Sequence, residues 1–290
     1  MSTLASAQVR RPLQELRAVG EREDPLYRRR VSAREAELGS TLSPSERAGL
    51  AVDAPLAISS QVGEVLHALV LTARPSLIVE FGASLGISTI YLASALADLG
   101  AGMLITTELI PAKAERTESA IAAAGLGRYV EVRCGDARQT LADIDQPVDF
   151  LFLDGANDLY LPILELLRPR LASTAVIAAD MSVGDRDHDR HRAYVNDPEG
   201  GLIATELQLD VGLVIATPRI SYRRAARRAT ALAETPAPSP IRVCHPSVLL
   251  FIGADVGATV SPGVRLRVTR LRLVSSLDPP LHHPPRPGWC

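Results

Sequence analysis

The chain has 290 residues, of which 47% are hydrophobic and 22% charged, and its formal net charge is −2, a composition typical of a globular protein with a sizeable core. No stretch approaches 18 uninterrupted apolar residues, and residues 1–16 lack the apolar run of a secretory signal, so we expect neither a membrane span nor export. The cysteines (Cys134, Cys244 and Cys290) are widely spaced and odd in number, which favours a reducing cytoplasm over a disulfide framework or a zinc site.

The charges and prolines are unevenly distributed along the chain. From residue 217 onward there are 11 arginines against three acidic residues, together with 11 of the 21 prolines. This break predicts three parts: a helical N-terminal extension (1–54), a folded domain (55–217), and a basic Pro/Arg-rich tail (218–290) that we expect to be disordered or weakly folded. The charged run from Arg28 to Glu37 favours a solvated helix face, with a cap or a dimer arm as the alternative.

The central part alternates between two apolar patterns. Residues 61–71 have apolar side chains at helical spacing, and short apolar runs then alternate with longer amphipathic ones. The predicted strands are 77–81, 103–106, 129–132, 148–153, 175–179, 203–207 and 213–216, and the predicted helices between them are 88–99, 112–124 and 159–171. This alternation predicts a doubly wound α/β sheet, mostly parallel, with an antiparallel hairpin at one edge because the last two runs are only five residues apart.

The first strand leads into a glycine-containing turn. In an open parallel sheet, ligands bind beyond the carboxyl ends of the strands. Here Glu80 and Phe81 are followed by a turn in which Gly82 and Gly86 flank Ser84 and allow a ligand to approach the backbone. Ser88 and Thr89 then open a helix whose free N–H groups favour an anion such as a carboxylate.

Acidic residues follow the next four strands. These residues are Glu108, Asp136 (in Gly135-Asp136-Ala137), Asp154 (before Gly155) and Asp180. Burying four such carboxylates in a core would cost free energy, whereas at the rim of a ligand site they can bind polar groups. At such a rim Glu108 would accept hydrogen bonds from ribose hydroxyls. A dinucleotide dehydrogenase would need glycines at Ser84 and Ile87, which weighs against that class.

At these residues the sequence resembles the class I S-adenosylmethionine-dependent O-methyltransferases of the catechol/caffeoyl-CoA type, in their bacterial branch. The likeness runs from about Pro55 to Pro218 and is strongest over residues 79–89, 135–137 and 151–155. It implies a Rossmann-like seven-stranded sheet whose last strand is antiparallel. It also implies contacts to S-adenosylmethionine from the turn residues Glu80, Gly82, Ser84, Gly86 and Ser88, from Glu108, Asp136 and Ala137, and from Asp154 at the border between cofactor and acceptor.

The resemblance also implies a catalytic apparatus that is incomplete here. The family holds Mg²⁺ with an Asp after the fourth strand and an Asp-Asn pair after the fifth, and uses a nearby Lys as base. Asp154 and Asp180 match the metal carboxylates, but Met181 replaces the Asn, and a thioether is a poor ligand for a hard cation. Asn157 replaces the Lys. A role for Mg²⁺ is therefore doubtful on sequence.

Histidines and the single lysine are the remaining candidates for the base. His188 and His191 lie in a segment, 185–191, that would be a solvated loop or a source of a general base and of carboxylates for a metal. Lys113, the single lysine, is expected at the surface. Tyr160 and Tyr194 are the candidates for stacking on an acceptor, with core packing favoured for Tyr160.

Three functions stay open, in order of preference. The first is an O-methyltransferase for a small, phenolic acceptor with weak or no metal dependence, using Asp154, His188 or His191. The second is a cofactor-binding partner or regulatory protein without catalysis. The third is a methyltransferase for nucleic acid or another large substrate that uses the arginine-rich tail. Nucleic-acid binding is disfavoured because the tail lacks interleaved aromatic residues. Homodimerisation is an expectation of the family.

Overall fold

The computed structural model describes residues 2–181 and 186–219, apart from the side chains of residues 44 and 45. The strands are β1 (Leu77–Phe81), β2 (Met103–Glu108), β3 (Val130–Cys134), β4 (Val148–Leu153), β5 (Leu171–Asp180), β6 (Leu202–Leu207) and β7 (Leu213–Pro218). The α-helices are α1 (Ala7–Leu38), α2 (Pro44–Leu50), α3 (Ser60–Ala73), α4 (Ile87–Leu99), α5 (Pro111–Ala123), α6 (Ala137–Thr140), α7 (Tyr160–Leu167) and α8 (Arg186–Val195). The tail predicted from residue 218 lies outside the described residues, except for its first two.

The strands form one seven-stranded sheet in the order β3-β2-β1-β4-β5-β7-β6. Strands β1 to β5 are parallel, and β7 runs antiparallel to both β5 and β6. The predicted doubly wound α/β fold with an antiparallel last strand is therefore confirmed. The β6–β7 hairpin lies at one edge, with β7 inserted next to β5 and β6 outermost.

Both faces of the sheet are covered, which explains why its central strands are continuously apolar. Ile78, Phe150 and Phe152 belong to a cluster that includes α3 and α4, whereas Val79 and Leu151 belong to a second cluster that includes α7 and α8. Successive side chains of a strand point to opposite faces, so most positions of each central strand are apolar, with Glu80 of β1 as an exception. The carboxyl ends of these rigid strands carry the loops that form the candidate site.

Helices α3 and α4 pack closely because one residue in α3 has no side chain. A Cβ atom at Gly63 would lie 2.5 Å from the ring of Tyr91 in α4. The hydroxyl of Tyr91 accepts a hydrogen bond from Arg17 of α1 at 3.1 Å, so this contact also anchors the N-terminal helix.

The N-terminal segment is helical, as predicted. The side chain of Ser6 caps α1 by accepting from the N–H of Val9 at 3.3 Å, and Ser43 with Glu46 forms a capping box at the start of α2. The first turns of α1 bury Val9 and Leu13 against the core, whereas most of its charged second half is exposed. The boundary between residues 54 and 55 stays a prediction.

Two predicted elements are wrong. The helix predicted over 159–171 ends at Leu167, a 3₁₀ turn follows (Arg168–Arg170), and Leu171 already belongs to β5. Proline at 169 ends the helix early, because it lacks an N–H and disfavours helical backbone before it. The start of β5 was missed because residues 173 and 174 are exposed and polar, so they interrupt the apolar run by which a buried strand is recognised. Segment 185–191 is also not a loop from residue 186 onward, because α8 begins there.

Within residues 2–181 and 186–219, we find no helix that combines the length and the apolar character needed to cross a membrane.

The α3–α4 contact predicts a position-specific effect of adding one methyl group. Gly63→Ala is expected to lower the free energy of unfolding by about 1–3 kcal/mol, because the new Cβ atom overlaps the buried ring of Tyr91. Gly49→Ala is the matched control in α2, where a Cβ atom meets nothing within 4 Å and should raise stability by up to about 1 kcal/mol. Urea denaturation of both variants checks this, and equal stabilities would contradict the packing argument.

Candidate active site

A cleft of about 630 Å³ opens at the carboxyl ends of β1, β2 and β4. Predicted site residues that line it are Gly82, Ser84, Glu108, Asp136, Ala137 and Asp154. Glu80, Gly86, Ser88, Asp180, His188 and His191 lie outside this lining. The structure therefore brings one half of the residues assigned from sequence together in the cleft lining, and the other half do not line the cleft.

Gly82 forms the floor of the cleft where the chain leaves β1. Its φ of +100° is a conformation that other residues rarely adopt. A Cβ atom there would lie 2.6 Å from the carbonyl oxygen of Asp154 and from Gly155. The turn after β1 and the turn after β4 thus touch through their backbones, and a side chain at position 82 would separate them.

The helix after this turn starts one residue earlier than predicted and is capped differently. Gly86, with φ +91°, is the N-cap of α4, and no side chain caps it. The first N–H groups of α4 therefore have no side-chain partner there, and the helix dipole makes this end suitable for a carboxylate. The hydroxyl of Thr89 points elsewhere, towards Glu80.

Glu80 is a structural carboxylate rather than part of the cleft lining. It is fully buried in β1 and accepts hydrogen bonds of 2.6 Å from both Thr89 and Thr106. Burial raises the pKa of Glu80, while the hydroxyls of Ser88, Thr106 and Thr89 oppose that rise. Glu80 thus ties α4 to β1 and β2 and fixes the direction in which the N-terminus of α4 points.

Ser84 connects the glycine turn to three other segments. It has φ +51°, and its N–H donates to Glu108 at 2.9 Å. Its hydroxyl donates to the carbonyl of Pro55 at 2.5 Å, and its own carbonyl accepts from the Thr117 hydroxyl at 2.8 Å. These bonds hold a non-glycine residue in left-handed backbone.

Glu108 is a buried carboxylate whose position is fixed by main-chain donors. It is 8% exposed, and its two oxygens accept from the N–H groups of Ser84 and Ile110, each at 2.9 Å. Burial raises the pKa of Glu108, and the Ile110 N–H, the charge of Lys113 and the Ser84 N–H oppose that rise. A carboxylate retains further lone pairs, so Glu108 can still accept from ribose hydroxyls in the cleft.

Lys113 contradicts its expected surface position. It is only 4% exposed, it lines the cleft, and its ammonium donates to the hydroxyl of Ser84 at 3.0 Å. Burial lowers the pKa of Lys113, and the charge of Glu108 opposes this. The amphipathic pattern of α5 predicts that a charged residue is exposed. The one sequence signal for a buried partner was Glu108, five positions before Lys113.

Asp136 lines the cleft beyond β3 and is stabilised as an anion. It caps α6 by accepting from the N–H of Arg138 at 2.9 Å and forms an ion pair of 2.5 Å with the Arg138 guanidinium. The hydrogen bond from the Arg138 side chain lowers the pKa of Asp136. Together with Gly135 and Ala137, it lines the part of the cleft that follows β3.

Asp154, directly after β4, and Asp180, the last residue of β5, form an interacting carboxylate pair. Burial, with the charges of Asp180 and Glu80, raises the pKa of Asp154 well above its ordinary value. Burial, with the charge of Asp210, raises the pKa of Asp180 to about 7. Only Asp154 lines the cleft.

Among the described residues, those around this pair do not fit the Mg²⁺ site that the resemblance implies. Met181 is 1% exposed and packs in the hydrophobic cluster with β4, β5 and α7, so its side chain is part of the core. Across the two described ranges, no group of three His, Cys, Asp or Glu side chains could hold a metal ion. Two carboxylates alone provide fewer ligands than a hard divalent cation takes from protein and solvent in a dedicated site.

His188 and His191 occupy the buried side of α8. They are 1% and 0% exposed, and their rings lie 4.8 and 5.7 Å from the ring of Tyr160. Burial, with the charges of His188 and Arg192, lowers the pKa of His191 to about 4. The interpretation of this segment as a solvated loop is wrong, because both imidazoles pack inward against Tyr160.

The two candidate stacking tyrosines lie away from the cleft lining. Tyr160 is 2% exposed and donates to the carbonyl of Asp180 at 2.8 Å, which agrees with the favoured core role. Tyr194 is hydrogen-bonded to Glu165 and Arg168.

The N-terminal helices supply a wall of the cleft that the sequence did not reveal. We call it the N-terminal wall: Tyr27 of α1, Leu42 before α2, and Arg47, Ala48 and Ala51 in and after α2. Arg47 is held by an ion pair of 2.8 Å with Glu35. The capping box at Ser43 could have located α2, but no local pattern shows which part of the sheet a helix covers.

Comparisons with known proteins show which class of protein this fold and cleft resemble. Residues 79–180 match a family model described as a methyltransferase domain. Catechol O-methyltransferase from Sus scrofa is 32% identical over 116 residues, which cover 38% of this chain and 61% of that protein. The protein from Mus musculus is 32% identical over 111 residues, which cover 36% of this chain and 41% of that protein. The chain thus spans less than two thirds of either curated relative.

Solved structures of O-methyltransferases are also similar to this chain, at lower sequence identity. The O-methyltransferase TomG from Streptomyces achromogenes, involved in tomaymycin synthesis and solved with SAM (S-adenosylmethionine), is 25% identical with a TM-score of 0.51 over 60% of this chain and 88% of that one. An O-methyltransferase from Bacillus cereus, solved with SAH (S-adenosylhomocysteine), is 24% identical with a TM-score of 0.51 over 65% of this chain and 96% of that one. The chain is therefore similar to methyltransferases over residues 79–180 and shares its fold with solved O-methyltransferases.

The Asp154–Asp180 pair predicts a stability that depends on pH. Asp180 keeps its proton to about pH 7 in the folded protein, against an ordinary pKa of 3.8, so stability falls as the pH rises from about 4 to about 7. Asp180→Asn removes this loss and is expected to raise the free energy of unfolding at pH 8 by about 1–3 kcal/mol.

Urea denaturation at pH 5 and pH 8, with a chelator present, measures this effect. Asp145→Asn, which changes an exposed carboxylate, is the matched control and should leave the pH dependence as it is. A variant at position 180 that is less stable than the wild type at pH 8 would contradict the burial argument.

Proposed function

We propose that the protein is an S-adenosylmethionine-dependent O-methyltransferase that acts on a small, phenolic acceptor. The observation that carries the proposal is the cleft itself, where Glu108 and the backbone around Gly82 face one space at the carboxyl ends of the strands. Curated relatives named as catechol O-methyltransferases and structures solved with SAM or SAH support the same activity.

The described residues suit the parts of an adenosyl ligand. Glu108 would accept hydrogen bonds from the ribose hydroxyls, since its carboxylate is fixed by two backbone N–H groups. The N-terminus of α4 would attract the carboxylate of the amino-acid end. Asp136 and Ala137, which line the same cleft, would contact the adenine. Glu80 and Ser88 would contribute indirectly, by holding α4 in the position that the ligand requires.

The proposed reaction is an in-line displacement. The sulfonium cofactor supplies a methyl group that is already activated for transfer, with SAH as the leaving group. The acceptor hydroxyl forms the new C–O bond and loses its proton. Alignment of the two reactants is the main task of the protein and is worth up to about 7–11 kcal/mol in favourable intramolecular models.

Asp154 is the residue that we assign to the border between cofactor and acceptor. It is the only member of the proposed catalytic set of Asp154, His188 and His191 that lines the cleft. Apolar side chains of Leu42, Leu56 and Phe81 share this space and would accommodate an aromatic ring. Because the described residues around Asp154 and Asp180 do not supply the usual ligands of Mg²⁺, we expect turnover without this ion.

Calorimetric titration with SAM and SAH, with and without Mg²⁺, tests the cofactor part of the proposal. Turnover of phenolic and catecholic acceptors, followed as SAH release, tests the acceptor part. Binding without turnover on any acceptor would favour the non-catalytic alternative, whereas absence of SAM and SAH binding would contradict the proposal.

Removing the charge of Glu108 is expected to weaken cofactor binding. Glu108→Gln keeps the shape of the side chain but loses charge-assisted hydrogen bonds, so the Kd for SAH should rise by about 10–100-fold. Glu115→Gln, an exposed position on α5, serves as the matched control and should bind as the wild type does. Isothermal calorimetry measures both, and an unchanged Kd for the first variant would remove Glu108 from the site.

The buried position of His191 predicts that it is dispensable for chemistry. Neither ring nitrogen of His191 has a hydrogen-bond partner among the described residues, and the ring lies against Tyr160. His191→Leu is therefore expected to keep kcat within about threefold, because it replaces a neutral imidazole that does not line the cleft. A loss of activity of about 100-fold or more at unchanged melting temperature would restore the histidine-base hypothesis.

A further inference from the structure

Lys113 is an unusual residue in this structure. The chain has a single lysine, and that side chain lies on the first turn of α5, 4% exposed and facing the cleft. Taking an ammonium out of water is costly unless charges and hydrogen bonds compensate for it. The groups that compensate for it should therefore indicate what the lysine does.

The ammonium is connected to the ribose-binding carboxylate through one residue. Lys113 donates to the hydroxyl of Ser84 at 3.0 Å, and the N–H of Ser84 donates to Glu108 at 2.9 Å. The same Ser84 hydroxyl donates to the carbonyl of Pro55 at 2.5 Å. Lys113 thus meets the glycine turn where that turn contacts both Glu108 and the segment before α3.

The charges around Lys113 and Glu108 complement each other. The charge of Glu108 is the largest influence that favours the ammonium and so opposes the fall in the pKa of Lys113, and Lys113 in turn opposes the rise in the pKa of Glu108. The other charges that act on Lys113 are Asp24 of α1, Asp53 after α2, and Arg116 of α5. Arg116 is paired with Asp53 at 3.4 Å, so Glu108 remains the dominant partner.

A purely mechanical role does not account for this arrangement. Thr117, one turn further along α5, already attaches the helix to the Ser84 carbonyl through a bond of 2.8 Å between neutral groups. Lys113 adds a positive charge beside a buried carboxylate, which a neutral anchor does not provide. An ionised carboxylate accepts hydrogen bonds through both oxygens, whereas the protonated form becomes a donor at one of them.

We propose that Lys113 is a positioning residue for cofactor binding, which acts through Ser84 and Glu108 by keeping the Glu108 carboxylate ionised and in place for the ribose of the adenosyl ligand. This inference rests on the proposed function for its ligand, but the Lys113–Glu108 coupling is a property of the free protein.

The single lysine makes the coupling directly measurable. Selective ¹³C and ¹⁵N labelling of lysine in the full chain gives one side-chain signal, which can be followed against pH without any ligand. Glu108→Gln should lower the pKa of Lys113 relative to the wild type, because the main charge that stabilises the ammonium is lost. An unchanged titration of Lys113 in this variant overturns the proposal, whether or not the protein binds SAM.

Ligand affinity supplies the second measurement. In Lys113→Met the pKa of Glu108 should rise, because the neighbouring positive charge is gone. The affinity for SAH should then fall more steeply than in the wild type as the pH is lowered from about 8 to about 5, by up to about tenfold for every pH unit by which the pKa of Glu108 has risen. Thr117→Val is the matched control, since it removes a bond from α5 to Ser84 but no charge. It should keep the wild-type pH profile even if its melting temperature falls.

The outcomes separate this inference from the proposed function. A wild-type pH profile in Lys113→Met, or the same steepening in Thr117→Val, overturns the positioning role. If the wild type binds neither SAM nor SAH, the proposed function fails, and the lysine titration still decides whether Lys113 and Glu108 are coupled.

Discussion

The contact between two turns of backbone at Gly82 is the constraint on which the site depends. The turn after β1 passes within van der Waals distance of the turn after β4, and a Cβ atom would lie 2.6 Å from the carbonyl of Asp154. This contact fixes the position of Asp154 relative to the glycine turn. It also leaves the polar backbone of both turns at the floor of a cleft, where a ligand can meet it directly.

Carboxylates around this floor are stabilised in different ways, and the differences suit different tasks. Glu80 is surrounded by hydroxyls and acts as a structural tie, while Glu108 is fixed by main-chain N–H groups beside Lys113. Asp136 is neutralised by Arg138. Asp154 and Asp180 lie near each other and near further acids, and burial with these charges raises their pKa values. Carboxyl groups with raised pKa values cluster at functional sites, which supports a functional role for this pair despite its cost in stability.

The fold was largely predictable from sequence, because buried parallel strands give continuous apolar runs, and β1 and β4 were located to the residue. The site was predictable only in part. The apolar periodicity of α5 predicts a surface position for Lys113 because lysine is polar. Periodicity along one helix gives no information about a partner such as Glu108, which belongs to another element. The histidines of α8 were misplaced for the same reason, because Tyr160 lies 28 and 31 positions away in sequence. Helix α2 covers the cleft through tertiary packing, which no local propensity encodes.

The cleft has two kinds of surface, and the N-terminal wall is one of them. Tyr27, Leu42 and Arg47 come from the first 51 residues, whereas the opposite side comes from residues within 81–159 together with Asp187. Substitutions in the early helices therefore alter the shape and charge of one side without touching the strand ends on the other. Related proteins that exchanged this leading segment could diverge in the molecules they admit while conserving the opposite face, so the wall is the natural place to look for lineage-specific selectivity.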